Sequence, residues 1–242
     1  MSEQLVTITV DGKSISAPAG SRLLPVCLEN DIYIPNLCYL EGMGDPPASC
    51  RLCLVEIEGE PDLVAACRCE IREGMVVTTN SEDILKMRQV AFRLLVSTND
   101  GHCNTCIANK SCELQQIAKF LHQPLRTKRL RHIDRDYPEI IDDHPVLMYE
   151  PKKCVLCGRC VYVCNRIEKG YKLDFARRGI NTIVSFYGSD LDPAARECES
   201  CLACTEVCPV GALSSKEKWG RFIAEVRLKQ EQKAAAAGKS SG

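Results

Sequence analysis

Cys154-Val155-Leu156-Cys157-Gly158-Arg159-Cys160-Val161-Tyr162-Val163-Cys164 and Cys198-Glu199-Ser200-Cys201-Leu202-Ala203-Cys204-Thr205-Glu206-Val207-Cys208-Pro209 decide how this chain is read. Each run has the form C-x2-C-x2-C-x3-C, and the second closes on Cys-Pro. Three thiolates in so short a loop can take three corners of one cubane, and the fourth cysteine of each run then crosses to the neighbouring cube. The spacing therefore predicts two [4Fe–4S] clusters. Cys154, Cys157, Cys160 and Cys208 hold one, and Cys198, Cys201, Cys204 and Cys164 hold the other. Zinc sites instead show two separated C-x2-C pairs that supply four tetrahedral ligands, which two such triplets do not match.

Composition agrees with a metal protein. There are 17 cysteines in 242 residues. The start, Met-Ser-Glu-Gln-Leu-Val, has neither a basic n-region nor an apolar h-region, so no export signal is expected. No apolar run approaches the roughly 18 residues needed to span a bilayer. The expected location is cytoplasmic, where thiols stay reduced and dense cysteine means metal rather than disulfide. A net charge of −1 gives no reason to expect nucleic acid as a partner.

Residues 5–10 alternate apolar and polar, as in a half-buried strand. Asp11-Gly12 is a two-residue hairpin signal, with a return strand over 13–17. Ser21 is the expected cap of a short helix in which Leu24, Cys27 and Leu28 share a face, and Cys27 reads as a small core hydrophobe. Ile34-Pro35-Asn36-Leu37-Cys38 follows, then Cys50, Cys53 and Cys67, spaced C-x11-C-x2-C-x13-C. Plant-type [2Fe–2S] proteins use a loop triplet and a distant fourth cysteine; here the first gap is longer. With Cys50-Arg-Leu-Cys-Leu-Val-Glu-Ile57 and Ala65-Ala-Cys67, the stretch resembles an N-terminal [2Fe–2S] domain. That domain is shared by the large iron–sulfur subunit of respiratory complex I, [FeFe] hydrogenases and the small diaphorase subunit of NAD-reducing [NiFe] hydrogenases. The resemblance implies Cys38, Cys50, Cys53 and Cys67 as ligands on a β-grasp sheet completed by strands at 53–58 and 75–79. Cys69 reads as a spare thiol.

Ser81-Glu82-Asp83 opens a helix, with a hydroxyl at the cap and acids in the first turn. Its expected core stripe is Ile84, Met87, Ala91 and Leu94 or Leu95. Cys103, Cys106 and Cys112-Glu113-Leu114-Gln115 resemble the second domain of the same families, in which one histidine and three cysteines hold a [4Fe–4S] cluster. Those families place the histidine two or four residues before the first cysteine. Here His102 is adjacent and the four-back position is Asn99. The fourth ligand is therefore His102 after a local loop shift, or else Asp100, solvent or a backbone donor. The following helix should bury Leu114, Ile117 and Leu121. A connector with basic Arg126, Lys128, Arg129, Arg131 and Arg135, then acidic Glu139, Asp142 and Asp143, reads as a solvated or intersubunit segment.

The two cysteine runs repeat 44 residues apart, from Cys154 to Cys198. The insert Asp174–Thr182 again resembles these families. A helix carrying Trp219, Phe222, Ile223 and Val226 is expected beyond Lys216, with a disordered tail from Ala234. The expected fold is thus α+β. A β-grasp [2Fe–2S] ferredoxin domain (1–80) precedes a small helical His/Cys-type [4Fe–4S] domain (81–122) and the connector (123–144). A two-cluster ferredoxin-like domain (145–215) and a terminal helix and tail (216–242) complete it. Cofactors are one [2Fe–2S] and three [4Fe–4S] clusters, with Cys27 and Cys69 left over.

No Gly-rich dinucleotide fingerprint or flavin domain is visible, and nothing after residue 215 reads as a hydrogenase or molybdopterin domain. The resemblance therefore implies a non-catalytic electron-transfer subunit. Its partners would be a flavin subunit that oxidises NAD(P)H and a second catalytic subunit, a hydrogenase or a formate dehydrogenase. Flavin-based electron-bifurcating complexes use the same module.

Overall fold

The computed structural model describes residues 4–99, 101–126, 131–167, 170–187 and 198–239. Asp100, Lys128 and Arg129, named above, lie outside them. The chain divides into two compact units. One comprises Met1–Thr98, Glu113–Ile133 and Cys157–Arg159, the other Asn99–Cys112, Asp134–Leu156 and Cys160–Gly242.

In the first unit β1 (Leu5–Val10) and β2 (Lys13–Pro18) form the expected hairpin. Asp11 and Gly12 both have positive φ, +48° and +82°, the geometry that matches hairpin twist. The Asp11 carboxylate also accepts the Thr79 backbone N–H at 2.8 Å, tying the turn to the segment that follows the neighbouring strand Val76–Thr78. After α1 (Leu23–Glu29) come β3 (Leu54–Ile57), β4 (Val64–Ala65) and β5 (Val76–Thr78). The sheet order is β2-β1-β5-β3-β4. β1 and β5 are parallel at its centre and the other pairs antiparallel, a β-grasp arrangement. Val6, Ile8 and Val10 face one way and bury with Leu23, Leu24, Val26 and Cys27 of α1. Burial pushes the Cys27 thiol up to about 12, so it behaves as a neutral core side chain.

Two expectations fail in detail. The cap of α1 is Arg22, not Ser21, and it makes no side-chain cap bond. Its guanidinium instead donates to the Arg68 carbonyl at 2.6 Å and the Gly44 carbonyl at 3.2 Å. In α2 (Glu82–Ser97) the buried positions are Ile84, Arg88, Phe92 and Val96, while Met87 and Leu94 are exposed. The stripe is rotated by one residue because Arg88 turns inward to donate to the Leu54 carbonyl at 2.7 Å. The start of α2 agrees with the sequence: the Ser81 hydroxyl accepts the Ile84 N–H at 3.2 Å. Ser81→Ala should therefore cost about 1 kcal/mol of stability, measured by chemical denaturation. α3 (Glu113–Phe120) buries Leu114 and Ile117 as expected, with Leu121 just beyond it.

In the second unit β6 (Leu147–Tyr149) pairs antiparallel with β9 (Leu213–Ser215), and β7 (Leu173–Ala176) with β8 (Ile183–Phe186). α4 (Arg159–Tyr162) follows the first cysteine run and continues as a π-helical turn, Val163–Ile167. α5 (Ala203–Glu206) sits inside the second run. The connector reading needs correction at Arg135. That residue is buried, and its guanidinium donates to the carbonyls of Pro151 at 2.8 Å and Cys154 at 3.3 Å. It also lies over the Tyr137 ring, with Arg177 over the same ring. α6 (Lys216–Lys239) runs through the alanine-rich stretch expected to be disordered, alanine being the strongest helix former. Among the described residues no helix is long and apolar enough to cross a membrane.

Candidate iron–sulfur centres

The loop between α1 and β3 has to turn its thiols inward. Two non-glycine residues there adopt left-handed backbone, Ala48 at φ +50° and Arg51 at φ +54°, conformations that need support from their surroundings. Each precedes a cysteine by two positions. Cys38, Cys50, Cys53 and Cys67 are all buried. Cys38 Sγ lies 3.4 Å from Cys50 Sγ, and Cys67 hydrogen-bonds both Cys38 and Cys53. The four therefore form one thiol nest. Bonds from Cys50 and Cys67 hold the Cys38 thiol well below its ordinary range. The bond from Cys67 does the same for Cys53, while donation and burial raise Cys50 and Cys67. The nest thus carries two thiols disposed to ionise. Arg88 contributes a buried cation: burial lowers its pKa to about 10, and the charge on Cys53 opposes that shift. Cys69 stands apart, half-buried, donating to the Glu70 carbonyl at 3.6 Å.

In the second unit Cys164, Cys198, Cys201 and Cys204 line one cavity of about 230 Å³, together with His144 and Lys172. The crossing cysteine, Cys164, is thereby brought beside the triplet of the other run. Gly170 leaves room for it, since a Cβ there would stand 3.3 Å from Cys164 Sγ. Cys164 Sγ also accepts the Lys172 N–H at 3.4 Å. Burial, then the charges of Cys164, Cys198 and Cys201, push the Cys204 thiol up to about 12. The His144 Nδ1 accepts the N–H groups of Val146 and Leu147, at 3.1 and 3.2 Å. That fixes which ring nitrogen is unprotonated.

Cys154 is buried, and the charge of Cys208 acts on it. Burial raises its pKa, while hydrogen bonds from Tyr149 and the Leu156 amide oppose the rise. The residue after the second cysteine is left-handed in both runs, Gly158 at φ +79° and Leu202 at φ +49°. The repeat is thus one of backbone as well as spacing. Within the first run, Arg159 forms a bidentate pair with Glu113, at 2.6 and 2.9 Å.

Cys103, Cys106 and Cys112 belong to the same unit. Burial raises the Cys106 thiol. Cys103–Thr105 is a 3-10 turn capped by His102, an exposed residue. Asn99 is engaged elsewhere, donating to the Lys153 carbonyl at 2.6 Å. Among the described residues, no three His, Cys, Asp or Glu side chains are grouped as they would be around a single metal ion.

Sequence reasoning named the cysteines but missed Arg88, Arg135, Tyr149 and His144. All four are buried polar residues whose partners are backbone groups or thiols set by the fold. Arg159 was open to notice, since it sits inside the cysteine run.

A mixed-sheet unit enclosing a four-thiol nest, and a repeat that brings a crossing cysteine to its partner triplet, define a ferredoxin-type iron–sulfur protein. Residues 3–82 match the 2Fe-2S iron-sulfur cluster binding domain. Residues 144–214 match the ferredoxin-like domain of NADH-quinone oxidoreductase subunit 3. The NADP-reducing hydrogenase subunit HndD of Solidesulfovibrio fructosivorans is 34% identical over 220 residues, 88% of this chain and 36% of that protein. An NADH-quinone oxidoreductase subunit of Rhizobium meliloti (strain 1021) is 34% identical over 212 residues, 87% of this chain and 24% of that one. The chain thus spans well under half the length of either relative. A chain in the crystal structure of NAD+-reducing [NiFe]-hydrogenase in the H2-reduced state superimposes with a TM-score of 0.71 at 30% identity, covering 87% of both chains. The chain belongs to this family of iron–sulfur electron-transfer subunits and modules of NAD(P)-linked hydrogenases and NADH-quinone oxidoreductases.

Proposed function

We propose that the chain is the iron–sulfur relay of a multi-subunit NAD(P)-linked oxidoreductase, with a hydrogenase as the expected complex. It would stand between a flavin subunit that oxidises or reduces NAD(P)H and a second catalytic subunit. The observation that carries this reading is the single cavity lined by Cys164, Cys198, Cys201 and Cys204, because a crossing ligand is the mark of a two-cluster relay.

Four cysteines, Cys38, Cys50, Cys53 and Cys67, hold a [2Fe–2S] cluster in the β-grasp domain. His102, Cys103, Cys106 and Cys112 hold a [4Fe–4S] cluster. Cys154, Cys157, Cys160 and Cys208 hold a second, and Cys164, Cys198, Cys201 and Cys204 a third. Bound clusters take up and release one electron each. The residues of this chain act as ligands, exclude water by burial, and present amides, a hydroxyl and cations to the thiolates. None is assigned acid–base chemistry, and we read the chain as non-catalytic by itself; a cysteine-rich chain of this kind fits the reducing cytoplasm.

Anaerobic purification of the native complex, with mass spectrometry of what stays bound, tests the assignment. Recovery with a flavin subunit and a hydrogenase is the expected result. A formate dehydrogenase in place of the hydrogenase would keep the relay and change its substrate. Recovery with no redox partner would overturn the reading.

A further inference from the structure

Arg159 sits between Cys157 and Cys160 in the first cysteine run, and Glu113 directly follows Cys112. Both belong to the same compact unit, although 46 residues separate them in sequence. Their side chains meet at two points, Nη1 to Oε1 at 2.6 Å and Nη2 to Oε2 at 2.9 Å. A guanidinium fork closed on both oxygens of one carboxylate fixes direction as well as distance. An exposed pair of this kind would contribute little. Here the Arg159 side chain is only 8% exposed, against 38% for Glu113, and its Nε is buried without a hydrogen-bond partner. The cation has been taken out of water, and Glu113 offsets the cost of burying it.

A second tie lies within the other unit. Asn99, four residues before Cys103, donates at 2.6 Å to the carbonyl of Lys153, the residue before Cys154. Residues bordering Cys103 and Cys112 thus hold residues of the first cysteine run, or bordering it, at two separate points. Loops that carry metal ligands gain order from the metal they bind. A side-chain pair that needs both loops ordered then links the two binding events.

We infer that Arg159 and Glu113 are positioning residues that lock the ligand loop of Cys112 to that of Cys157 and Cys160, so that each of these two [4Fe–4S] clusters is retained more firmly when the other is present. The inference rests on the ligand assignment given under Proposed function. The pair itself transfers no proton and carries no electron.

The test uses the full chain, reconstituted anaerobically and challenged with an iron chelator and a thiol-alkylating reagent. Mass spectrometry of the peptide carrying Cys157 and Cys160 then reports when the cluster of the first run is lost. Cys103→Ala removes a ligand of the other cluster without touching the pair, and should lower iron by about four atoms per chain. It should also speed alkylation of Cys157 about tenfold, the scale of one hydrogen bond to a charged group. In an Arg159→Lys background the charge stays but the fork is lost, and that factor should fall to about threefold or less. A merely structural pair would let Arg159→Lys speed alkylation while leaving the factor from Cys103→Ala undiminished, and that result overturns the inference. Alkylation of Cys157 at the wild-type rate in Cys103→Ala overturns it as well. Should Arg159→Lys take up no clusters, Glu113→Gln, at the more exposed end of the pair, replaces it in the same cycle with the same expected drop. If Cys103→Ala keeps all its iron, the ligand assignment falls and the inference with it. If the iron is lost and the factor is undiminished, only the inference falls.

Discussion

Cys53→Ala is expected to abolish the [2Fe–2S] EPR signal and to lower iron by about two atoms per chain, with the [4Fe–4S] signals retained. The size of the effect follows from where Cys53 stands. It is 1% exposed, in the same core cluster as Val55, Ala66 and Cys67, and its thiol is held below its ordinary range by the bond from Cys67. Alanine offers no ligand atom, and the surrounding core leaves no path for a substitute from solvent. Cluster binding also contributes directly to folding free energy, so the β-grasp unit of the variant should unfold at lower denaturant. Cys69→Ala is the matched control. Its thiol is directed to the Glu70 carbonyl, and the [2Fe–2S] signal should survive. Loss of the signal in Cys69→Ala together with its retention in Cys53→Ala would reverse the assignment.

Gly211→Val is expected to destabilise the second unit by about 2–4 kcal/mol, combining left-handed strain with overpacking. Gly211 lies three residues after Cys208 at φ +67°, and a Cβ there would meet the Ala108 Cβ at 2.5 Å. The segment after Cys106 and the segment after Cys208 therefore pack closely at this glycine, with Ala108 against it, and Cys106 Sγ stands 4.0 Å from the Val210 carbonyl. A side chain at 211 has to push these two thiol-bearing segments apart. Faster bleaching of the cluster absorbance in mild denaturant would report it. Adding Ala108→Gly should restore part of the loss, since it relieves the clash but not the backbone strain. Wild-type bleaching kinetics in Gly211→Val would show that the close approach is not required.

How far these features were legible in the sequence depended on their range. The β1–β2 hairpin was readable because alternation and Asp11-Gly12 are local signals. The cysteine runs were readable because cluster chemistry demands fixed spacing. Arg88 was not, since an arginine on an apolar helix stripe reads as misplaced until the Leu54 carbonyl, 34 residues away, is seen to accept its N–H. Arg135 was lost in a run of charges that looked solvated, and only the fold brings it to Pro151 and Cys154. Ser21 carried a sound capping signal, but Ser21 bonds through its backbone, its carbonyl accepting the Ile71 N–H at 2.9 Å. Tyr149 had no signal beyond its aromatic character, because both its partners are fixed by tertiary structure.

The central claim is that one chain carries four clusters of two kinds. Anaerobic reconstitution followed by iron and acid-labile sulfide determination, with EPR of the reduced protein, tests it most directly. The account predicts about fourteen irons per chain, two from a [2Fe–2S] cluster and four from each of three [4Fe–4S] clusters, with signals of both kinds. A colourless protein without labile sulfide, or one that binds only zinc, would contradict it.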